Sequence, residues 1–314
     1  MKILLPDDVA LTLNLPDDEL IWYTFGEPIP EEHRDAEAIV MWGFGQKWLQ
    51  EILPTLTNLR WIQTLAAGPD ALLAAGVPEG VEISTGRGFH DRTVAEHTLM
   101  LALALVRRLP ACAQAQREHR WAGELGGSQP LYPDDAVTTL IGARVLVWGF
   151  GSIGTAIGQA FAGMGAKVAG VARSAGERDG FRVITDADLP KELEQTDVLV
   201  MILPHSSSTE GALTDELLGH LPQRAYVINV GRASTWSEPG IAQALHDGVI
   251  AGAATDVVLT EPLAEDSPLW DAPNMIITPH AAGGRPVNPE PTIEANAAAV
   301  REGRWEELRN RVQR

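Results

Sequence analysis

Three ionisable side chains in the second half of the chain each follow an apolar run: Arg232 after AYVINV, Glu261 after GAATDVV, and His280 after NMIITP. An imidazole exchanges protons near neutral pH, a carboxylate beside it favours its cationic form, and a guanidinium offers a planar fork that matches a carboxylate. If those runs are strands of an open α/β sheet, the three groups stand outside the strands' carboxyl ends, where such sheets keep their active sites. Upstream, the segment WGFGSIG sets Gly149, Gly151 and Gly154 in a GxGxxG pattern. It directly follows the run ARVLVWG and opens the helix-like SIGTAIGQAFAGMGA, with a further run AKVAGVA within about 30 residues, which is the context a dinucleotide-binding turn requires. Gly149 permits the tight turn, Gly151 lets the backbone approach a pyrophosphate, and Gly154 lets helix and strand pack closely. The N–H groups at the start of the helix, around Ser152 and Ile153, face the anion.

At the end of AKVAGVA a unit specific for NAD places an acid that accepts from the ribose hydroxyls. Here that position is Ala172, followed by Arg173 and Ser174. Without the carboxylate there is nothing to repel a 2′-phosphate, and a guanidinium and a hydroxyl stand ready as donors. The expected cofactor is therefore NADP(H), with NAD(H) as the alternative if Arg173 only stacks on an adenine.

These groups must be positioned by the elements around them. From Met1 to about His90 the runs KILL, ELIWYTF, AEAIVMW, LRWIQTL and VEIST alternate with polar or helical intervals, as in a small parallel α/β unit. The stretch DRTVAEHTLMLALALVRRLPACAQAQREHRW is too densely apolar for a surface helix and reads as one long buried helix. After a loop rich in Gly, Pro and Asp comes a second series, ARVLVWG, AKVAGVA, TDVLVMILP, AYVINV, GAATDVV and NMIITPH, several of them apolar without alternation, as strands covered on both faces are. The expected fold class is α/β, with two doubly wound parallel-sheet domains, the larger a Rossmann dinucleotide-binding domain. The expected division is 1–90 plus 283–314 for the substrate and 91–282 for the cofactor, closing on each other to exclude water.

The 314 residues are 45% hydrophobic, enough for two domains at roughly 100 to 200 residues each. Against 42 Asp and Glu there are 24 Lys and Arg, a formal charge of −18 that repels phosphate backbones and anionic lipid surfaces. Nucleic-acid and membrane partners are not expected. The single cysteine, Cys112, forms no intrachain disulfide and supplies no multi-cysteine metal site, so no metal is expected and the compartment is read as the reducing cytoplasm. Cys112 itself reads as a small packing residue, and Glu96 and His97 as structural groups bonding across a hinge or a subunit contact.

The segments LRWIQTLAAGPD, VAEH, WGFGSIG, ILPHSSSTEGAL, INVGRA, GAATDVVLTEPL and SPLWDAPNMIITPH follow one another in an order and spacing that resembles the D-isomer-specific 2-hydroxyacid dehydrogenase family over nearly the whole chain. Within it the sequence resembles the glyoxylate and hydroxypyruvate reductases more than the phosphoglycerate dehydrogenases. The resemblance implies that His280 is the acid and base, Glu261 its carboxylate partner, and Arg232 the grip on substrate carboxylate and keto oxygen. It implies that the backbone of Ala67 and Gly68 holds the substrate carboxylate, that Asp256 accepts from the nicotinamide carboxamide, and that Pro204, Thr209 and Val230 lie along the cofactor. Trp42 and Arg285 are the residues expected at the substrate's distal end, and His205 near the cofactor. A homodimer through the cofactor domain is also implied. INVGRAST departs from the family in having Ala233 and Ser234 where two glycines are frequent. Two alternatives stand beside this reading: a non-catalytic dinucleotide-sensing protein on the same fold, against which the intact Arg232, Glu261 and His280 argue, and a phosphoglycerate-type dehydrogenase.

Overall fold

The structure, a computed structural model, describes residues 1–43 and 45–313. Its internal contacts divide it into two compact units, Met1–His90 with Arg285–Arg314, and Asp91–Gly284.

In the first unit, β1 (Lys2–Pro6), β2 (Glu19–Tyr23), β3 (Ala38–Met41), β4 (Trp61–Thr64) and β5 (Glu82–Ser84) form a parallel sheet in the order β2-β1-β3-β4-β5. Every residue of β3 and β4 is buried; β3 accordingly runs apolar without alternation, and in β4 the buried Gln63 is satisfied by donating to the Thr64, Ser84 and Thr85 carbonyls. Successive side chains feed opposite cores: Leu4, Ile39, Met41 and Ile62 one, and Ile3, Leu5, Ala38, Val40 and Trp61 the other. Ile293, Ala297 and Val300 of the tail helix Glu290–Arg301 complete the second core. Buried Asn296 fixes that helix, donating to Gln63 Oε1 at 2.9 Å and accepting from the Arg309 N–H at 2.8 Å.

The second unit is built on β6 (Arg144–Trp148), β7 (Lys167–Val171), β8 (Gly176–Arg178), β9 (Phe181–Ile184), β10 (Val198–Met201), β11 (Tyr226–Asn229), β12 (Gly252–Thr255) and β13 (Met275–Ile277). Their order is β13-β12-β11-β10-β6-β7-β9-β8, parallel throughout except for the β8–β9 pair. Val145, Val147, Val198, Val200 and Ile228 face the helices Asp91–Val106 and Ser152–Gly163. Leu146, Trp148, Leu199, Met201 and Val227 face the side covered by the helix Glu238–His246. From β6 the chain builds outward through β7 and β9, then crosses back to β10 and continues to β13, so strand order reverses between β6 and β10. That reversal opens a crevice at the carboxyl ends of these two strands. The α/β class with doubly wound parallel sheets is as the sequence predicts.

One local reading needs correction. The expected single long helix is two, Asp91–Val106 and Leu109–Arg117, bent by 65°. Pro110 in a continuous helix would lack its N–H and clash with the Val106 carbonyl, at about 3 kcal/mol or more. A left-handed residue costs about 1 to 2 kcal/mol, so the break at Arg108 (φ 54°) is the cheaper solution. The first helix carries buried residues from Val94 to Val106; in the second, Ala115 alone is buried, and Cys112 is exposed rather than packed. No single helix among the described residues is long and apolar enough to cross a membrane. The β8–β9 hairpin is an addition that none of the runs read from the sequence marks. Arg178 pairs with Phe181, and the two loop residues Asp179 (φ 50°) and Gly180 (φ 82°) are both left-handed, the backbone of a type I′ turn.

Candidate active site

The glycine turn sits at the end of β6. Gly149 has φ 108°, and a Cβ there would lie 2.4 Å from the Ile202 carbonyl oxygen, so the turn and the close approach of β10 both require glycine. A Cβ on Gly154 would stand 2.4 Å from the Gly149 oxygen, whereas Gly151 is exposed and faces open space. The cradle is thus tight toward the protein and open toward solvent, at the N-terminus of a 12-residue helix that begins with Ser152, Ile153 and Gly154. It fits a pyrophosphate. Ser152 donates its hydroxyl proton to Asp91 Oδ2, which ties the helix start to the helix beginning at Asp91.

Beyond β7, Ala172 presents no carboxylate, and Arg173 and Ser174 are exposed. A residue that the motif reading missed reaches the same place: Arg178, from β8, donates to the Phe150 carbonyl inside the glycine turn and to Ser174. The Asp-Gly pair between two short runs was the signal for the hairpin that carries it. After β10, Thr209 donates its hydroxyl to the Pro204 carbonyl at 2.6 Å, closing that loop on itself; Pro204 is exposed and Val230 buried. His205 is exposed and bonded through Nδ1 to Ser234 Oγ.

The reacting groups gather at the other end of the sheet. β11, β12 and β13 are consecutive neighbours whose last residues are in register, Asn229 with Thr255 and Thr255 with Ile277. Arg232, Asp256, Glu261 and His280 follow within a few residues. His280 Nδ1 lies 2.9 and 3.0 Å from the two Glu261 carboxylate oxygens, so the ring donates from Nδ1 and keeps Nε2 for other work. Both side chains are about half exposed. Arg232 is half-buried, and its backbone is fixed because its carbonyl accepts from Asn229 Nδ2 and from the Thr235 hydroxyl. Ala233 and Ser234, where glycines are frequent, fit a 3-10 turn with Ala233 buried.

Asp256 is only 1% exposed, and the structure places it as the hub of this end. Its Oδ1 accepts from the Thr278 hydroxyl at 2.6 Å and the Ala281 N–H at 2.9 Å, and its Oδ2 from the Ala282 N–H at 2.9 Å. These donors flank His280, whose φ of 51° is a left-handed strain of about 1 to 2 kcal/mol. Bonds to a charged acceptor contribute about 1.5 to 3 kcal/mol each, so the clamp outweighs the strain. His97 donates from Nε2 to Thr278 Oγ1 at 2.9 Å and stands 3.3 Å from Asp256 Oδ1. His97, read as structural, thus braces the His280 loop within its own unit, while Glu96 is exposed.

Four further residues expected to meet substrate lie in the first unit. Trp42, just past β3, is half-buried and stacked on His90, ring centroids 5.3 Å apart and planes 15° apart. Ala67 and Gly68, past β4, are half-buried, and Arg285 is exposed.

A glycine turn at the reversal of a doubly wound sheet, with an imidazole and a carboxylate joined at the carboxyl ends of the same sheet, defines a nicotinamide-dependent oxidoreductase. The chain belongs to the D-isomer specific 2-hydroxyacid dehydrogenase family, whose NAD binding domain is matched by residues 99–282. It is 29% identical over 286 residues to glyoxylate/hydroxypyruvate reductase A of Serratia proteamaculans, covering 87% of this chain and 86% of that protein. A D-isomer specific 2-hydroxyacid dehydrogenase family protein from Aeromonas salmonicida superposes with a TM-score of 0.82 at 28% identity, covering 99% of this chain and 98% of that one. An NADPH-dependent glyoxylate/hydroxypyruvate reductase from Sinorhizobium meliloti, solved with NADP and sulfate, does so with a TM-score of 0.77 at 26% identity over 96% of both chains.

Proposed function

We propose that this dehydrogenase prefers NADP(H) and works as a reductase of a small 2-keto acid of the glyoxylate or hydroxypyruvate type. The observation that carries the reading is the His280–Glu261 pair at the end of β13, on the same sheet edge as the glycine turn. Gly149, Gly151 and Gly154 with the N–H groups of Ser152 and Ile153 would hold the pyrophosphate, and Arg173 and Ser174 the 2′-phosphate. Bound there, the cofactor supplies a hydride for C2 of the keto acid.

The chain's own groups do the rest. His280 Nε2 delivers a proton to the oxygen on C2 as negative charge grows there, and Glu261 holds the ring by Nδ1 and stabilises its cationic form. Arg232 grips the substrate carboxylate and polarises the neighbouring carbonyl. Asp256 serves chiefly by fixing the His280 loop. Ala67, Gly68, Trp42 and Arg285 enter the proposal as substrate-selecting residues of the first unit. The family relative solved with NADP supports the cofactor preference.

Steady-state rates with NADPH and NADH against a panel of 2-keto acids test the reading. NADPH with glyoxylate or hydroxypyruvate should give the highest kcat/KM, and equal efficiency with both cofactors would overturn the preference. Trp42→Ala should move the order toward branched or aromatic keto acids by about tenfold, the worth of roughly one methylene or more in a pocket. A homodimer through the second unit is part of the same proposal. Its support is the apolar surface of Leu109, Trp121, Leu131 and Tyr132, each more than half exposed. Sedimentation equilibrium should return twice the chain mass.

A further inference from the structure

We infer that Arg178, rather than Arg173 alone, is the pre-organised cation of the cofactor's 2′-phosphate site; the inference rests on the proposed NADP preference. Its guanidinium is held at the mouth of the glycine turn by three bonds, from Nη1 to the Phe150 carbonyl at 2.7 Å and from Nη2 to the Ser174 carbonyl at 3.2 Å and Ser174 Oγ at 2.9 Å. The β8–β9 turn at Asp179 and Gly180 holds the backbone of Arg178 in place. All three acceptors are uncharged, and among the described residues no carboxylate pairs with it, so its charge stays available to an anion.

The bonds leave Nε and one Nη1 hydrogen without a partner among the described residues. Ser174 Oγ accepts from Arg178, so the hydroxyl's own hydrogen remains to be donated. A half-buried guanidinium and a serine hydroxyl bonded to each other, beside a strand end that carries Ala172 in place of an acid, make a donor set for a phosphate monoester. Arg178 is already ordered, whereas Arg173 is exposed and must lose rotamer freedom on binding, so the larger share of the discrimination falls to Arg178. The same bond to Phe150 gives the rival outcome a distinct signature. If Arg178 merely braced the glycine turn, its loss would weaken every dinucleotide alike.

The test is a fluorescence titration of NADPH and NADH binding, with adenosine 2′,5′-bisphosphate as a competing probe, on wild type, Arg178→Ala, Arg178→Gln and Arg178→Lys. Arg178→Gln retains a donor for the Phe150 carbonyl, and a melting curve checks that each variant is folded. Arg178→Ala and Arg178→Gln should weaken NADPH and the bisphosphate by about tenfold or more while leaving NADH within about twofold, with Arg178→Lys intermediate. Equal weakening of both cofactors, or no weakening of NADPH, overturns the inference. A wild type that binds NADH as tightly as NADPH fails the NADP reading first, and the inference with it. A wild type that prefers NADPH together with an Arg178→Ala that keeps the preference fails the inference alone.

Discussion

The carboxyl edge of the eight-stranded sheet has two ends built on opposite principles. At the β11–β13 end, a carboxylate that is almost wholly buried, Asp256, gathers three donors and holds a strained histidine in place. At the β7–β9 end, Arg173 and Ser174 are exposed on a short loop, and the fixed guanidinium of Arg178 arrives from an antiparallel hairpin. Proton transfer needs an atom held within a fraction of an ångström, which favours a buried, over-determined frame. Choosing between two cofactors that differ by one phosphate needs only charge and donors near the surface, which a loop and a hairpin supply. The two ends should therefore fail differently when altered.

The largest effect is expected at the first. His280→Ala should lower kcat by about 100- to 10,000-fold, the range of general acid catalysis, while NADPH binding by fluorescence stays close to wild type. Loss of binding together with loss of turnover would erase the distinction between the ends. The converse change, Ala172→Asp with Arg173→Ala, should invert the cofactor preference by about tenfold or more in kcat/KM, through KM rather than kcat. If kcat falls equally with both cofactors, the β7 end is not independent of the chemistry. A smaller effect sharpens the claim about the clamp. Thr278→Val removes a hydroxyl that both donates to Asp256 and accepts from His97, and should cost about 1 to 3 kcal/mol of stability in chemical unfolding. An unchanged unfolding midpoint would mean that the loop does not depend on the hub.

The same contrast explains what the sequence made legible. The chemical end is written in residue types that terminate apolar runs, so Arg232, Glu261 and His280 stand out, and parallel neighbouring strands bring their loops side by side. The glycine turn is legible because a side chain at Gly149 would collide with the β10 backbone. Arg178 was not, since its position depends on a hairpin whose strands have only three and four residues, too short for a periodic signal. Asp256 was visible as a site residue, but its burial and its grip on Thr278, Ala281 and Ala282 arise from strand register, which no local pattern encodes. The break at Arg108 was signalled by Pro110 and was masked by the apolar density on either side.

The most direct test of the central claim is product analysis on the wild-type protein with NADPH and hydroxypyruvate. The account predicts that one D-2-hydroxy acid forms for each NADPH consumed, and that the reaction is slower with NADH. A protein that binds NADPH tightly yet forms no hydroxy acid from any small 2-keto acid would be a nucleotide-binding protein, and the role given to His280 would be wrong.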